Sequence, residues 1–229
     1  MNLSNFIVKQ ITYEETKPFI LNMHYAQRMP SITWAYGLFF ESEILGVVTF
    51  GKSASPALTS GILGSEYKHV VYELNRLVLK EDLPKNTASF FVSKALKDLK
   101  KHNLCIVSFS DLGMKHHGYI YQALNFYFTG TSKGRTDKYV PNGKHSRHYD
   151  KNAKEVYRSI RSQKNRYVYF ACDKKHKKEY LNKLNYPILE YPKGTNSKYI
   201  LGERETKWIK IVETGEIIDE SKILKKDLF

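Results

Sequence analysis

The stretch that most restricts what this chain can fold into is Ile106–Phe126, IVSFSDLGMKHHGYIYQALNF. An apolar, strand-like run, Cys105–Ser110, ends at a carboxylate, Asp111. A short glycine turn and the pair His116-His117 follow, then a helix-like segment carrying Tyr119, Tyr121 and Gln122. A strand that hands over to a helix in this way belongs to an α/β architecture. A carboxylate at a strand's C-terminal end, followed by histidine and tyrosine, is how such architectures present polar groups to a ligand. An ordinary strand–turn–helix whose polar residues are caps and surface groups shows the same spacing, and spacing alone does not separate the two.

The preceding chain supplies more strands and helices. Phe6–Ile11 alternates weakly, as an opening strand does, and Thr12 to Met23 reads as a helix with Thr12 as N-cap and Glu15 at the capping-box position. His24–Pro30, HYAQRMP, is polar and aromatic and stops at a proline, so it leaves the helix and exposes side chains. A C-capping His24 and a packed Tyr25 ring is the plain alternative. Trp34–Glu41 and Ile44–Lys52 are strand-like runs joined by a hairpin turn. Ser53–Gly64, rich in Ser, Gly, Ala and Pro and without periodicity, reads as a mobile loop.

Tyr72–Leu79 is the next strand. Strict alternation sets Leu74, Arg76 and Val78 on one face and Glu73, Asn75 and Leu77 on the other. A charge on either face amid apolar neighbours is costly unless paired, so Glu73 and Arg76 are site residues or a structural ion pair. Asn86 is the expected N-cap of a helix from Thr87 to Lys101, whose buried stripe is Ala88, Phe91, Val92, Ala95, Leu96 and Leu99. Thr87 and Ser89 add hydroxyls to the free N–H groups of its first turn, a combination that favours an anion.

After a strand at Tyr127–Thr131 comes a basic, polar connection, Ser132–Arg161, interleaved with tyrosines. The formal net charge of the 229-residue chain is +14, and such a charge attracts polyanions, nucleic acid first. Lys133, Arg135, Lys144 and Arg147, with Lys164 and Arg166 at the start of the strand Lys164–Ala171, are the candidate nucleic-acid contacts. A solvated basic loop is the plain alternative. Asp173–Leu184 is a Lys-rich amphipathic helix, and Tyr191–Gly194 ends the compact part. The division expected is therefore a catalytic domain over 1–197 and an extension over 198–229 whose Trp208–Ile218 segment resembles a hairpin.

Cys105 and Cys172 lie in apolar runs with no C-x-x-C spacing, which suits buried small hydrophobes in a reducing cytoplasm. No apolar run is long enough for a membrane span, and the N-terminus lacks signal-peptide features. P-loop, dinucleotide-binding, H-E-x-x-H, zinc-finger and D-P-P-Y signatures are absent. His24, His116 and His117 could join Asp111 and a tyrosine around a metal, and this donor chemistry suits iron or another first-row metal; the spacing is not diagnostic.

The succession of elements is similar to the GNAT-like (acyl-CoA N-acyltransferase) fold, α/β with a mixed central sheet flanked by helices. The Gly-rich pyrophosphate loop of that fold, R/Q-x-x-G-x-G/A, is missing between Leu77 and Ser89. Acetyl-CoA is thereby weakened as donor, because glycines let backbone approach phosphate closely. Six short motifs follow in order: H-Y-x-x-R-M-P at His24–Pro30, E-L-x-R-L at Glu73–Leu77, P-K-N-x-x-S at Pro84–Ser89, S-F-S-D at Ser108–Asp111, H-x-G-x-I-Y-Q-A at His116–Ala123 and K-x-R-Y at Lys164–Tyr167. Together they resemble the Mom family of phage and prophage DNA adenine modification proteins, across roughly His24 to Lys193. The resemblance implies conversion of adenine in DNA to N6-(carbamoylmethyl)adenine, which blocks host restriction. It places His24, Tyr25, Arg76, Ser89, Asp111 and Tyr121 at positions of activity or metal binding, with His116 in a matching motif. It further implies iron (Fe2+), with His24 and His116 as ligands, and a donor of unstated identity. On this reading Asp111 accepts an N6 proton, Tyr121 or Tyr25 donates to developing charge, Arg76 grips an anionic group of the donor in bidentate fashion, and Ser89 meets the same donor. DNA is the partner, and a homodimer is left open. The alternatives are a GNAT enzyme acetylating a small amine or protein, and a non-enzymatic DNA-binding protein.

Overall fold

The computed structural model describes residues 2–53, 55–140, 149–152, 154–194 and 207–223. Lys144, Arg147 and the 197/198 boundary lie outside the described residues. Strand β1 (Phe6–Gln10) leads into helix α1 (Tyr13–Asn22). The capping box forms as expected: Thr12 Oγ1 accepts the Glu15 N–H at 3.3 Å, and Glu15 Oε2 accepts the Thr12 N–H at 2.7 Å. Strands β2 (Trp34–Phe40) and β3 (Glu43–Gly51) make the expected hairpin. The segment read as a mobile loop holds helix α2 (Pro56–Leu63) instead. Ser55 caps it by accepting the Leu58 N–H at 3.3 Å, Pro56 takes the first turn, and Thr59, Ile62 and Leu63 are buried. Eight residues, with Leu58, Ile62 and Leu63 as their large apolar side chains, give too short a stripe to register as periodic.

The remaining elements are β4 (Val71–Leu79), α3 (Thr87–Leu99), β5 (Leu104–Asp111), α4 (Tyr119–Ala123), β6 (Tyr127–Thr131), β7 (Arg135–Lys138), β8 (Tyr157–Arg161), β9 (Lys164–Ala171), α5 (Lys174–Lys183), β10 (Trp208–Ile211) and β11 (Ile217–Asp219). A seven-stranded mixed sheet runs β1-β2-β3-β4-β5-β9-β6, with the β4–β5 contact parallel and its other pairings antiparallel. Helices cover both faces, as the order of elements predicts. On one face Phe91, Val92, Ala95, Leu96 and Leu99 of α3 pack on Phe50, Leu74, Ile106, Phe126 and Tyr167. On the other, Phe19 and Ile20 of α1 pack on Val47 and Val78, while Ile62 and Leu63 of α2 and Tyr180 of α5 pack on Val71, Cys105, Val107 and Phe170. Both cysteines are buried, which pushes their thiols above the ordinary range, Cys172 to about 11.

Two features of β4 and β5 shape the centre of the sheet. Phe50 pairs with Leu74 and Thr49 with Arg76, so Asn75 is an extra residue, a β-bulge. Thr49 Oγ1 donates to Asn75 Oδ1 at 2.6 Å, and Asn75 Nδ2 donates to the Ser31 carbonyl at 2.8 Å, fixing it. Gly51 lets that chain approach, since a Cβ there would stand 1.9 Å from the Ser31 oxygen. The bulge resets the alternation. Leu74 and Leu77 both join the α3 cluster, and Glu73 shares the opposite face with Arg76 and Val78. Strict alternation had set Glu73 and Arg76 on opposite faces, and one inserted residue reverses that. Second, the β4–β5 ladder covers only Val71–Glu73 against Cys105–Val107. Beyond it the strands part, leaving an opening between Leu74–Leu79 and Ser108–Asp111 that Ser108 Oγ bridges by donating to the Leu74 carbonyl at 3.0 Å.

Strand β10 pairs with β8, giving a second sheet, β11-β10-β8-β7, that unites residues 208–219 with the basic connection. Ile209 in its middle is fully buried. Asn86 sits at the α3 N-cap position, but with φ +69° and no side-chain cap bond; Thr87 and Ser89 turn their hydroxyls onto the carbonyls of Pro84 and Asn86 instead.

Because Phe91 is wholly enclosed in the larger cluster, Phe91→Ala is expected to cost about 3–5 kcal/mol through lost burial and a residual cavity. Equilibrium urea unfolding of the two proteins reads this directly.

Candidate active site at the opening between β4 and β5

Asp111 closes β5 and is 3% exposed. Lys164, its directly opposed partner on β9, places Nζ 2.8 Å from Asp111 Oδ2. The Gly113 N–H donates to Oδ1 at 3.0 Å. The main-chain oxygen of Asp111 accepts the N–H groups of Met114 and His116, at 3.2 and 3.0 Å, which coils the following turn and seats His116 beside the strand end. Lys164, an expected nucleic-acid contact, reaches this carboxylate with its side chain 43% exposed. Asp111, the expected proton acceptor, has a donor on each oxygen.

Arg76 lies on the same face. Its Nη1 donates to the Asn75 carbonyl at 2.6 Å and its Nη2 to the Arg28 carbonyl at 2.9 Å, while Nε is buried and without a hydrogen-bond partner. Two of its five N–H groups are thus spent on backbone carbonyls, and the buried Nε–H has no partner. Burial, more than any neighbour, lowers the guanidinium's pKa, with the Arg28 charge adding to it. His24 follows α1 and is buried, its Nδ1 accepting the Ala26 N–H at 3.0 Å. Burial first, and then the positive charges of Arg76, His116 and Lys164, push its pKa down to about 3, so the ring stays neutral. Tyr25 stacks on it with ring centroids 4.3 Å apart, and its hydroxyl acts on Arg76.

Tyr121 enters from α4. Burial raises its phenol to about 12, Ser108 supplies a side-chain hydrogen bond, and the charges of Tyr25 and Glu73 reach it. Its ring stands 5.2 Å from Tyr167 and 5.3 Å from Phe126. Tyr167 is fully buried and donates to the His117 carbonyl at 2.5 Å, and Gln122 Nε2 donates to the Tyr167 hydroxyl at 3.2 Å. Gly118, at φ +82°, has no room for a Cβ beside the Tyr167 ring, only 2.4 Å away. The short α4 is thus locked over the sheet by one aromatic residue.

The structure therefore brings His24, Tyr25, Arg76, Asp111, His116 and Tyr121 to one opening, and adds Glu73 and Lys164. Glu73 and Arg76 act on each other's ionisation without a direct ion pair among the described residues. Ser89 does not join them; it lines a separate groove with Leu3, Asn86, Phe90, Ser93, Ala123 and Leu124. The polar pair Asn75-Arg76 inside an apolar strand was the signal that could have exposed the bulge, and with it Glu73.

The expected iron ligands do not fit as a set. A histidine that ligates through one nitrogen carries its proton on the other, yet Nδ1 of His24 accepts an N–H. Among the described residues no three His, Cys, Asp or Glu side chains are grouped to hold an ion. Of the candidate nucleic-acid contacts, Lys133 and Arg135 are exposed, Arg135 with Asp137 3.7 Å away. Arg166 belongs to the fold: it donates to Thr129 Oγ1 and the Thr129 carbonyl at 2.9 and 2.8 Å, with the Tyr186 ring 3.4 Å from its guanidinium carbon. No helix among the described residues is long and apolar enough to cross a membrane.

Among solved structures, an N-acetyltransferase from Staphylococcus aureus Mu50 is 14% identical, with a TM-score of 0.46 over 73% of this chain and 99% of that one. The IAA acetyltransferase from Bacillus cereus ATCC 14579 is also 14% identical, with a TM-score of 0.44 over 72% of this chain and 99% of that one. Likenesses at this level say nothing of ligand or substrate. Methylcarbamoylase mom of Escherichia phage Mu is 28% identical over 128 residues, 54% of this chain and 53% of that protein; the match spans about half the relative's length. The model of the Mom protein family matches residues 5–193. That span holds every element around the opening between β4 and β5, from α1 to β9: the chain belongs to the Mom protein family.

Proposed function

We propose that this chain is a transferase that modifies DNA, placing a carbamoylmethyl group on N6 of adenine and so shielding phage DNA from restriction. The observation that carries the reading is the convergence of Arg76, the Asp111–Lys164 ion pair and Tyr121 at one opening, within the span matched to the family. The similarity to a protein named methylcarbamoylase supports the choice of group. The net charge of +14 supports a polyanionic substrate.

The chemistry demanded is specific. The lone pair on adenine N6 is delocalised into the ring, so the transfer needs an activated carbon, a proton acceptor and stabilisation of developing charge. Tyr121 remains a neutral phenol at physiological pH because burial holds its pKa up, so it serves as a hydrogen-bond donor. The inward Nε–H of Arg76 gives one charge-assisted donor for an oxygen of the incoming group. Lys164, fixed by Asp111, sets a second positive charge on the same face. His24 stays uncharged and buttresses Tyr25. The target base must leave the helix stack to reach these groups, and the exposed Lys133 and Arg135 hold backbone phosphates meanwhile.

Mass spectrometry of hydrolysed DNA from cells expressing the soluble protein is expected to show a carbamoylmethylated adenine; only unmodified adenine would sink the proposal. Asp111→Asn leaves Lys164 without its counter-charge, and modification is expected to fall by roughly 10²-fold in the same measurement. Binding of labelled duplex should weaken steeply with salt. Lys133→Ala and Arg135→Ala should each lower the slope of log K against log salt by about 1, with little change between DNA sequences.

A further inference from the structure

The transferase reading leaves one proton to be placed. A bond forms between N6 and the donor's methylene carbon, the donor's leaving group departs with the bonding pair, and N6 must shed a proton to a protein group. Most groups around the opening are committed. Asp111 holds Lys164 on one oxygen and the Gly113 N–H on the other. His24 spends its lone-pair nitrogen on the Ala26 N–H. Tyr121 keeps its own proton. His116 sits on the turn after β5, where the groups it interacts with are Asp111, His117 and His24.

Glu73 is different. It occupies the last rung of the β4–β5 ladder, opposite Val107, where the strands begin to part. The Asn75 bulge turns it onto the face of Arg76. Groups from three elements act on it or are acted on by it: Arg76 on its own strand, Lys164 from β9 and Tyr121 from α4. Its side-chain hydrogen bond is to the Ser53 hydroxyl, and it forms no salt bridge among the described residues. We infer that Glu73 accepts the N6 proton, and that Asp111 is a positioning residue for Lys164. This inference rests on the transferase reading and assigns one of its steps. Desolvation, the largest influence on Glu73, raises its pKa against the lowering effects of Ser53, Arg76 and Lys164, and a carboxylate shifted upward is a better base near neutral pH.

The test uses wild type, Glu73→Gln and Glu73→Asp, expressed as full chains. DNA from the cells is hydrolysed and the modified fraction of adenine measured by mass spectrometry. Each purified protein is checked for thermal midpoint and for binding to a labelled duplex. Glu73→Gln is expected to lose roughly 10²-fold or more of the modification with duplex binding unchanged, while Glu73→Asp keeps a measurable part. A Glu73→Gln protein that folds, binds and modifies DNA to within about threefold of wild type overturns the inference, since general-base catalysis is worth far more than that.

A second measurement covers a variant that does not fold. Clarified lysate of expressing cells, which carries the cell's own donor, is incubated with plasmid DNA from about pH 5 to about pH 8. Raising pH deprotonates Glu73, so the wild-type initial rate should climb with pH. In Glu73→Asp that limb should move to lower pH, because Asp has the lower intrinsic pKa. A flat wild-type profile, or a limb unmoved by Glu73→Asp, overturns the inference. Wild-type cells whose adenine is unmodified overturn the transferase reading itself, a result distinct from either.

Discussion

The structure turns on a pairing that stops. Parallel strands β4 and β5 share a ladder from Val71 to Glu73 and then separate. Separation in the middle of a sheet leaves N–H and C=O groups that must find other partners, since an unpaired buried backbone group costs about as much as a lost hydrogen bond. Ser108 meets part of that demand by donating to the Leu74 carbonyl, and Arg76 takes up the Asn75 carbonyl. The groups that reconcile the parted strands with burial are thus the groups that line the opening. Hydrophobic clusters on both faces hold the strands apart at a fixed width, with α3 on one side and α1 and α2 on the other.

The electrostatics follow from that burial. Arg76 and Lys164 are two cations on one face; the Arg76 guanidinium is largely buried and needs partners, while the Lys164 side chain stays 43% exposed. Lys164 has Asp111, while Arg76 has carbonyls and the nearby Tyr25 and Glu73. Burial first, and then their combined field, keeps His24 neutral. This arrangement accounts for a histidine–tyrosine stack being tolerated against cationic groups, and it is why a metal ion is a poor addition to the same donors. Tyr121 completes the wall from the opposite side of the sheet, fixed through Tyr167 and Phe126 rather than through charge.

The second sheet changes how the basic connection is understood. Residues 135–138 and 157–161 are not a free cationic arm; they are two paired strands, the second of which also pairs with β10. Arg161 is pinned at 2.8 Å by Asp137, and Arg158 is taken up by Glu155 and Thr136. The arginines of this sheet are therefore held in ion pairs on a scaffold. The strands β10 and β11 lie beyond the span that matches the family.

Local information in the sequence determined much of this. Capping at Thr12 and Glu15, the apolar stripe of α3, the β2–β3 hairpin and the arrival of Asp111 at a strand end all depend on residues within a few positions of one another, and each formed where it was read. The motifs from His24 to Tyr121 likewise marked most of the residues that meet at the opening. Tertiary structure alone decided the rest, because each remaining feature depends on a partner distant in sequence. The Asn75 bulge exists through Thr49 and Ser31, and it alone brings Glu73 to the side of Arg76. Lys164 meets Asp111 because the β5–β9 register sets the two opposite each other. The tail joins the basic connection because β10 finds β8. Register is a property of two strands at once, and neither strand's residues state it by themselves.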